Sequence, residues 1–284
     1  KSFYDLQPEG AHLPMDTAKK WDAAAGDYQH TFKTCSNEYS DRLMAFFKDA
    51  LRLRPGCRVI DIGCGVGKYG TRFAAMGCDV TLIDISANML RHARENMAPF
   101  SAPRTVFQCD FDRVSPQEPV FQGGFDLAIS TMSPAIHDLA TVEKMSAMTH
   151  GWCFVSRFVS WSQPGRDRLY GELGLDSVQP IPNETLAAEA QSMADAVQKA
   201  GFTPFFRYED YSWTDLREPL EAARRLLPEG SGQDALERAA AAAAKLAGDK
   251  GLFVDTVDTK VVWIYWNTAL EAQAGLEITP GSAV

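Results

Sequence analysis

Five short apolar runs separated by helix-length segments fill the chain between Cys57 and Trp161, and this alternation restricts the fold more than any other feature. The runs are CRVIDIG (57–63), CDVTLIDIS (78–86), RTVFQCDFD (104–112), FDLAISTM (125–132) and WCFVSRFVSW (152–161). Each is short for a buried helix and rich in β-branched or aromatic residues, so each reads as a strand. Between them lie YGTRFAAMG (69–77), a helix stopped by Gly77, and ANMLRHAREN (87–96), with Ser86 as its N-cap. A further short helix follows the fourth run, to roughly Thr149. Strands that alternate with helices at this spacing predict an α/β fold, a parallel sheet joined by right-handed crossovers.

The flanks are less regular. Ser40 is the expected N-cap of DRLMAFFKDALRL (41–53), whose Leu43, Phe46, Phe47, Ala50 and Leu51 share one face, and Pro55-Gly56 closes it. Beyond the fifth run, residues 163–183 are rich in Gly and Pro and read as an irregular insertion. ETLAAEAQSMADAVQKAG (184–201) is a helix and TPFFRYEDYSW (203–213) a sixth strand. A helical insertion from about Leu216 to Leu246 carries the Ala239–Ala244 run, and TKVVWIYWN (259–267) is a seventh strand. We therefore expect one domain over 1–284. It would comprise an N-terminal lid (1–40), a cofactor-binding core (41–160), substrate-side insertions (163–183 and 214–250), and a last strand with its tail (251–284).

The turn after the first strand has two readings. Gly63, Gly65 and Gly67 spell G-x-G-x-G, whereas Gly65, Gly67 and Gly70 spell the G-x-G-x-x-G of dinucleotide sites. In either case the glycine backbone and the following helix N-terminus can approach an anionic group, and Asp84 follows at the distance suited to a ribose. Three features favour the first reading. Asp61 lies inside the strand, where it would repel a pyrophosphate and attract an ammonium. Asp110, at the end of the third strand, can accept from an adenine amino group. The C-terminal third offers no second glycine signature, as a nicotinamide enzyme would more often have. Gly70 then reads as a small residue of the first helix turn whose spacing is coincidental.

With Trp21-Asp-Ala-Ala-Ala-Gly-Asp-Tyr28, VIDIGCGVG, LIDIS-ANML, CDFD and FDLAIS in order over residues 20–160, the chain resembles the class I S-adenosylmethionine-dependent methyltransferases. The resemblance implies a Rossmann-like, doubly wound, seven-stranded sheet, mostly parallel with an antiparallel last strand beside the fifth, and helical lid insertions. It implies S-adenosyl-L-methionine as cofactor. Asp61, Gly63, Cys64 (through its backbone), Gly65 and Gly67 would surround the methionine moiety, with Tyr28 reaching its carboxylate. Asp84 would bind the ribose, while Ile85, Met89 and Phe111 would pack around the adenine near Asp110. Ser130 and Thr131 would line the sulfonium side.

Methyl transfer asks the protein to hold an acceptor in line and exclude water, and for some acceptors to supply a base. STMSPAIHD (130–138) leaves the fourth strand at the right place, which makes His137 the candidate base and Asp138 its candidate orienting partner; His30 is a second, weaker candidate. It lacks the register and final aromatic of the Asn-Pro-Pro-Tyr loop of amino methyltransferases. Trp21, Tyr28, Tyr39, Trp161, Tyr170 and Trp213 could build an apolar or cation-accepting pocket. The net charge of −9 argues against a nucleic-acid partner, so a small-molecule methyl acceptor is expected. Six cysteines without metal spacing predict no metal site and a cytoplasmic setting, and no run is long enough for a membrane span or patterned as a signal peptide. The competing functions are a nicotinamide-dependent Rossmann oxidoreductase and a cofactor-binding regulatory protein without transferase activity.

Overall fold

The computed structural model describes residues 14–269 apart from 177–180 and 228–229; the expected tail beyond 269 and the first 13 residues of the expected lid lie outside the described residues. Seven strands form one sheet: β1 (Arg58–Ile62), β2 (Asp79–Asp84), β3 (Arg104–Gln108), β4 (Phe125–Thr131), β5 (Thr149–Ser162), β6 (Phe205–Arg217) and β7 (Phe253–Asn267). Their order is β3-β2-β1-β4-β5-β7-β6. The first five pair in parallel, while β7 runs antiparallel to both β5 and β6. The sheet is therefore the Rossmann-like, doubly wound one expected, with the chain reversing direction of travel between β1 and β4. A crevice opens at that reversal, outside the strand C-termini.

Alternation along β1 explains why both faces are covered. Val59 belongs to one apolar core and Ile60 and Ile62 to the other. The first core is closed by α2 (Glu38–Asp49), α3 (Lys68–Ala75) and α4 (Ala87–Met97), through Phe47, Phe73 and Leu90. The second is closed by α5 (Leu139–Ala147) and α7 (Asn183–Lys199), through Met145, Met193 and Val197. A central strand buried on both sides needs an almost continuous apolar run, as VIDI is apart from Asp61.

Two local expectations are corrected. Ser40 is not an N-cap: α2 begins at Glu38 and Ser40 lies inside it, fully buried. Tertiary contacts draw that extra turn into the helix, because Tyr39 stacks on Tyr211 at 4.2 Å and its hydroxyl accepts from Trp263 Nε1 at 2.8 Å. The helix also ends at Asp49, before Arg52 with its φ of 60°. Residues 163–183 are not irregular throughout, since α6 spans Pro164–Leu173. Pro164 sits in its first turn and Gly174, left-handed at φ 66°, ends it. Gly165 is internal because β7 passes so close that a Cβ there would lie 2.8 Å from the Val254 carbonyl oxygen.

Gly70 lies in the first turn of α3 as expected, and its small size has a packing reason, since a Cβ would come within 2.7 Å of Leu82 Cδ2. The expected helical insertion divides into α8 (Pro219–Leu226) and α9 (Gln233–Lys245), with Ala239 and Ala243 buried on α9.

A roof crosses the strand C-termini. The long α1 (Pro14–Thr34) lies along α4, where Asp22 Oδ1 accepts from Ser86 Oγ at 2.6 Å and from the Asn88 amide at 3.0 Å. Further along, Gln29 and Asn96 exchange amide hydrogen bonds at 3.0 and 2.8 Å. At the far side Asp27 meets Arg217 Nη1 at 3.3 Å and Arg225 Nη1 at 3.1 Å, tying α1 to β6 and α8.

Candidate active site

The crevice under this roof is a cavity of about 280 Å³ running from the glycine turn to the aromatic end of β6. Its floor is set by β1 and β2. Gly63, Gly65 and Gly67 all have positive φ, 72°, 53° and 80°, and Gly67 immediately precedes α3. Gly63 faces a second constraint, since a Cβ there would overlap Ser133 Oγ and stand 2.9 Å from Ser133 Cβ. The loop after β4 thus lies directly on the turn.

Two carboxylates stand at the turn. Asp84 accepts from the Gly65 amide at 2.9 Å and the Ser86 amide at 2.9 Å, while burial pushes it up to about 6. Asp61 is 1% exposed, and among the described residues neither of its oxygens has a hydrogen-bond partner. Burial, with the Asp84 charge added, pushes it up to about 8. An isolated buried carboxylate is costly unless a cation meets it. The donor-free Asp61 beside an open glycine turn therefore suits a ligand that brings an ammonium of its own, and that chemistry fits S-adenosylmethionine.

Of the expected cofactor residues, Tyr28, Gly63, Cys64, Gly65, Asp84, Ile85, Met89, Asp110, Phe111 and Thr131 lie on the cavity wall. Asp61, Gly67 and Ser130 stand behind it. Ser130 Oγ donates to the Ile62 carbonyl at 2.9 Å, stitching β4 to β1. Asp110 accepts from the Asp112 amide at 3.1 Å and lies 3.5 Å from Arg113 Nε. Lys144 donates to the Phe111 carbonyl at 2.6 Å, holding that ring at the adenine-sized end. Burial raises the Cys64 thiol well above its ordinary value, so it is no nucleophile.

His137 lines the cavity. Its Nδ1 is 3.1 Å from the Pro134 carbonyl oxygen, which makes Nδ1 the donor in that contact. Nε2 faces Asp112 at 3.7 Å and Asp138 at 3.8 Å. Asp138 does two things: its Oδ1 caps α5 by accepting from the Thr141 amide at 2.9 Å, and its other oxygen faces His137. His30 lies 3.4 Å from Asp215 in the ion-pair cluster that holds the roof.

Sequence reasoning missed two groups. Arg157, a lone cation in the apolar WCFVSRFVSW run, is partly buried and donates to the Ile136 and Ser156 carbonyls, so it pins the loop that carries His137. Burial pushes it down to about 10. Phe158 and Tyr211 complete an aromatic wall with Trp161 and Trp213, with ring centroids 4.9 to 5.4 Å apart between neighbours. Of the aromatics read from sequence, Trp21, Tyr28, Trp161 and Trp213 reach the cavity. Tyr39 packs behind Tyr211, and Tyr170 donates to the Leu226 carbonyl at 2.6 Å.

Residues 59–151 match a family model described as a methyltransferase domain. A malonyl-[acyl-carrier protein] O-methyltransferase from Erwinia pyrifoliae is 53% identical over 47 residues, 16% of this chain and 18% of that protein. A 23S rRNA uracil-C5 methyltransferase from Thiobacillus denitrificans is 35% identical over 86 residues, 29% of this chain and 20% of that protein. The chain thus spans about a fifth of the length of these relatives. Among solved structures, a [4+2]-cyclase superposes with a TM-score of 0.50 at 14% identity, over 88% of this chain and 97% of that one, which establishes the fold they share. Among the described residues no helix is long and apolar enough to cross a membrane.

Proposed function

We propose, since this chain belongs to the class I S-adenosylmethionine-dependent methyltransferases, that it methylates a small molecule enclosed beneath its helical roof. The observation that carries this reading is the continuous cavity joining the glycine turn to the aromatic wall, lined along one side by α1. A macromolecular acceptor would need that roof displaced, and the charge of −9 gives a phosphate backbone little attraction.

S-adenosylmethionine, when bound, supplies an electrophilic methyl group. Asp61 and Asp84 hold it by charge and by accepting hydrogen bonds, Asp61 from its ammonium and Asp84 from the ribose hydroxyls. The backbone of Gly63, Cys64, Gly65 and Gly67 shapes the methionine end, which Tyr28 approaches from above. Asp110 accepts from the adenine amino group, while Ile85, Met89 and Phe111 sandwich the ring. Ser130 fixes the end of β4 so that Thr131 flanks the sulfonium side. The roof excludes water and keeps the acceptor in line, which is most of the catalytic work for such a displacement. Where the acceptor atom carries a proton, His137 Nε2 takes it, with Asp112 and Asp138 stabilising the charge.

The test is production of S-adenosylhomocysteine from S-adenosylmethionine, followed by mass spectrometry. A metabolite extract, ribosomal RNA and malonyl-[acyl-carrier protein] serve as separate acceptors. Turnover with the metabolite extract alone supports the reading; turnover with either macromolecule alone refutes the enclosed small acceptor.

A further inference from the structure

Lys68, the first residue of α3, lines the cavity. Its carbonyl oxygen accepts from Thr71 Oγ1 at 2.9 Å, but among the described residues its side chain has no ion pair and no hydrogen bond. Its Nζ lies 6.0 Å from the Tyr211 ring centroid, at the far limit of a cation–π contact. The nearby Asp41 is engaged elsewhere, with Arg72 at 3.0 Å. The other cations at this end are already matched. Arg225 is held by Asp27 at 3.1 Å and Asp215 at 3.7 Å, and Arg217 by Asp215 at 2.7 Å. One ammonium thus faces an aromatic chamber without a counter-charge. Desolvation lowers its pKa, as it would for a cation awaiting an anion.

This inference rests on the methyltransferase reading and deepens it. We propose that Lys68 and the wall of Phe158, Trp161, Tyr211 and Trp213 select a flat, largely aromatic acceptor that carries an anionic oxygen, a carboxylate or a phenolate. Flat rings fit a wall built of tilted and edge-on aromatic faces, which contribute most of their stabilisation through buried area. The oxyanion takes the charge-assisted hydrogen bond that Lys68 lacks. An unpaired ammonium in the same chamber repels amines, so the aromatic wall is not a cage for a cationic acceptor.

The experiment is isothermal titration calorimetry on protein loaded with S-adenosylhomocysteine, using 2-naphthoate, 2-naphthol (neutral in solution and ionised where Lys68 holds the phenolate), 2-naphthamide and protonated 2-(aminomethyl)naphthalene as probes. A charge-assisted hydrogen bond in a dry site corresponds to about 10- to 100-fold in affinity. Naphthoate, naphthol or both should exceed the neutral amide by that factor, and the pattern tells a carboxylate site from a phenolate site. Lys68→Met should remove the preference and Lys68→Arg should restore most of it, with S-adenosylhomocysteine affinity changed less than about twofold. Trp213→Ala should weaken all four probes. An amide or amine that binds as well as the oxyanions overturns the proposal. So does a Lys68→Met variant that loses S-adenosylhomocysteine while keeping naphthoate, because Lys68 then serves the cofactor. If S-adenosylhomocysteine does not bind the wild-type protein but naphthoate binds it through Lys68, the methyltransferase reading falls and this one stands.

Discussion

Asp61→Asn separates a cation-seeking carboxylate from a merely buried one. Asp61 is raised to about 8 from 3.8, chiefly by burial, and has no hydrogen-bond donor among the described residues. A ligand ammonium binds the ionised form. At pH 6 about one Asp61 in a hundred is ionised and at pH 8 about half are, so affinity for S-adenosylhomocysteine should rise about 50-fold over that range. Asp84, raised to about 6, adds a factor of about two. The variant should lose the 50-fold part and bind weakly throughout.

Stability should move the other way. A carboxyl whose folded pKa lies above its unfolded value is fully tolerated below pH 3.8, and that advantage is lost as pH rises through 8. At about 1.4 kcal/mol per pH unit, the ligand-free fold carries a cost of about 6 kcal/mol above pH 8. The Asn amide, buried without partners, gives back about 1–3 kcal/mol. Ligand-free Asp61→Asn should then be about 2–4 kcal/mol more stable than wild type at pH 8, where half of Asp61 is ionised and the cost is about 5 kcal/mol, with a smaller gap at pH 5. Calorimetric titration and thermal unfolding across pH 5–9 measure both. A wild-type affinity flat between pH 6 and 8, or a variant less stable than wild type at pH 8, refutes the reasoning.

Three further outcomes are expected. Gly63→Ala places a methyl against Ser133 at a φ of 72°, so melting should fall by an amount equivalent to at least about 1–3 kcal/mol, with S-adenosylhomocysteine binding lost even where the protein remains folded. Arg157→Leu leaves the Ile136 and Ser156 carbonyls without their donor; kcat/KM for the acceptor should fall about tenfold or more while cofactor affinity, read by calorimetry, holds. His137→Gln should lower kcat by about 100-fold or more while cofactor affinity holds; an unchanged kcat would mean that the acceptor arrives without its proton.

The half of the cavity around the glycine turn was legible in the sequence because its constraints are local. A strand, a left-handed turn, an acidic strand end and the Ser86 cap each leave a mark within a few residues. The aromatic half was not, because it is assembled from β5, β6, α1 and the first turn of α3, segments up to about 190 residues apart in sequence, of which β5 and β6 meet only through their antiparallel pairing with β7. Lys68 shows the difficulty: in sequence it is a basic residue after a glycine, and its isolation depends on where Asp41, Asp27 and Asp215 find their partners. Ser40 and α6 fail for a related reason. Tyr39 and Gly165 are placed by tertiary contacts with β6 and β7, which outweigh local helix propensity.

The roof has a kinetic consequence. Asp22, which fixes α1, is also the group that receives Ser86 Oγ and the Asn88 amide at the start of α4, and Ser86 in turn donates its amide to Asp84. Lifting α1 therefore loosens Asp84 at the glycine turn, while the same helix carries Asp27 on the cavity wall. On the proposed reading product and spent cofactor both leave beneath this helix, so the burst of the first turnover should outrun the steady state whenever its movement is slower than transfer.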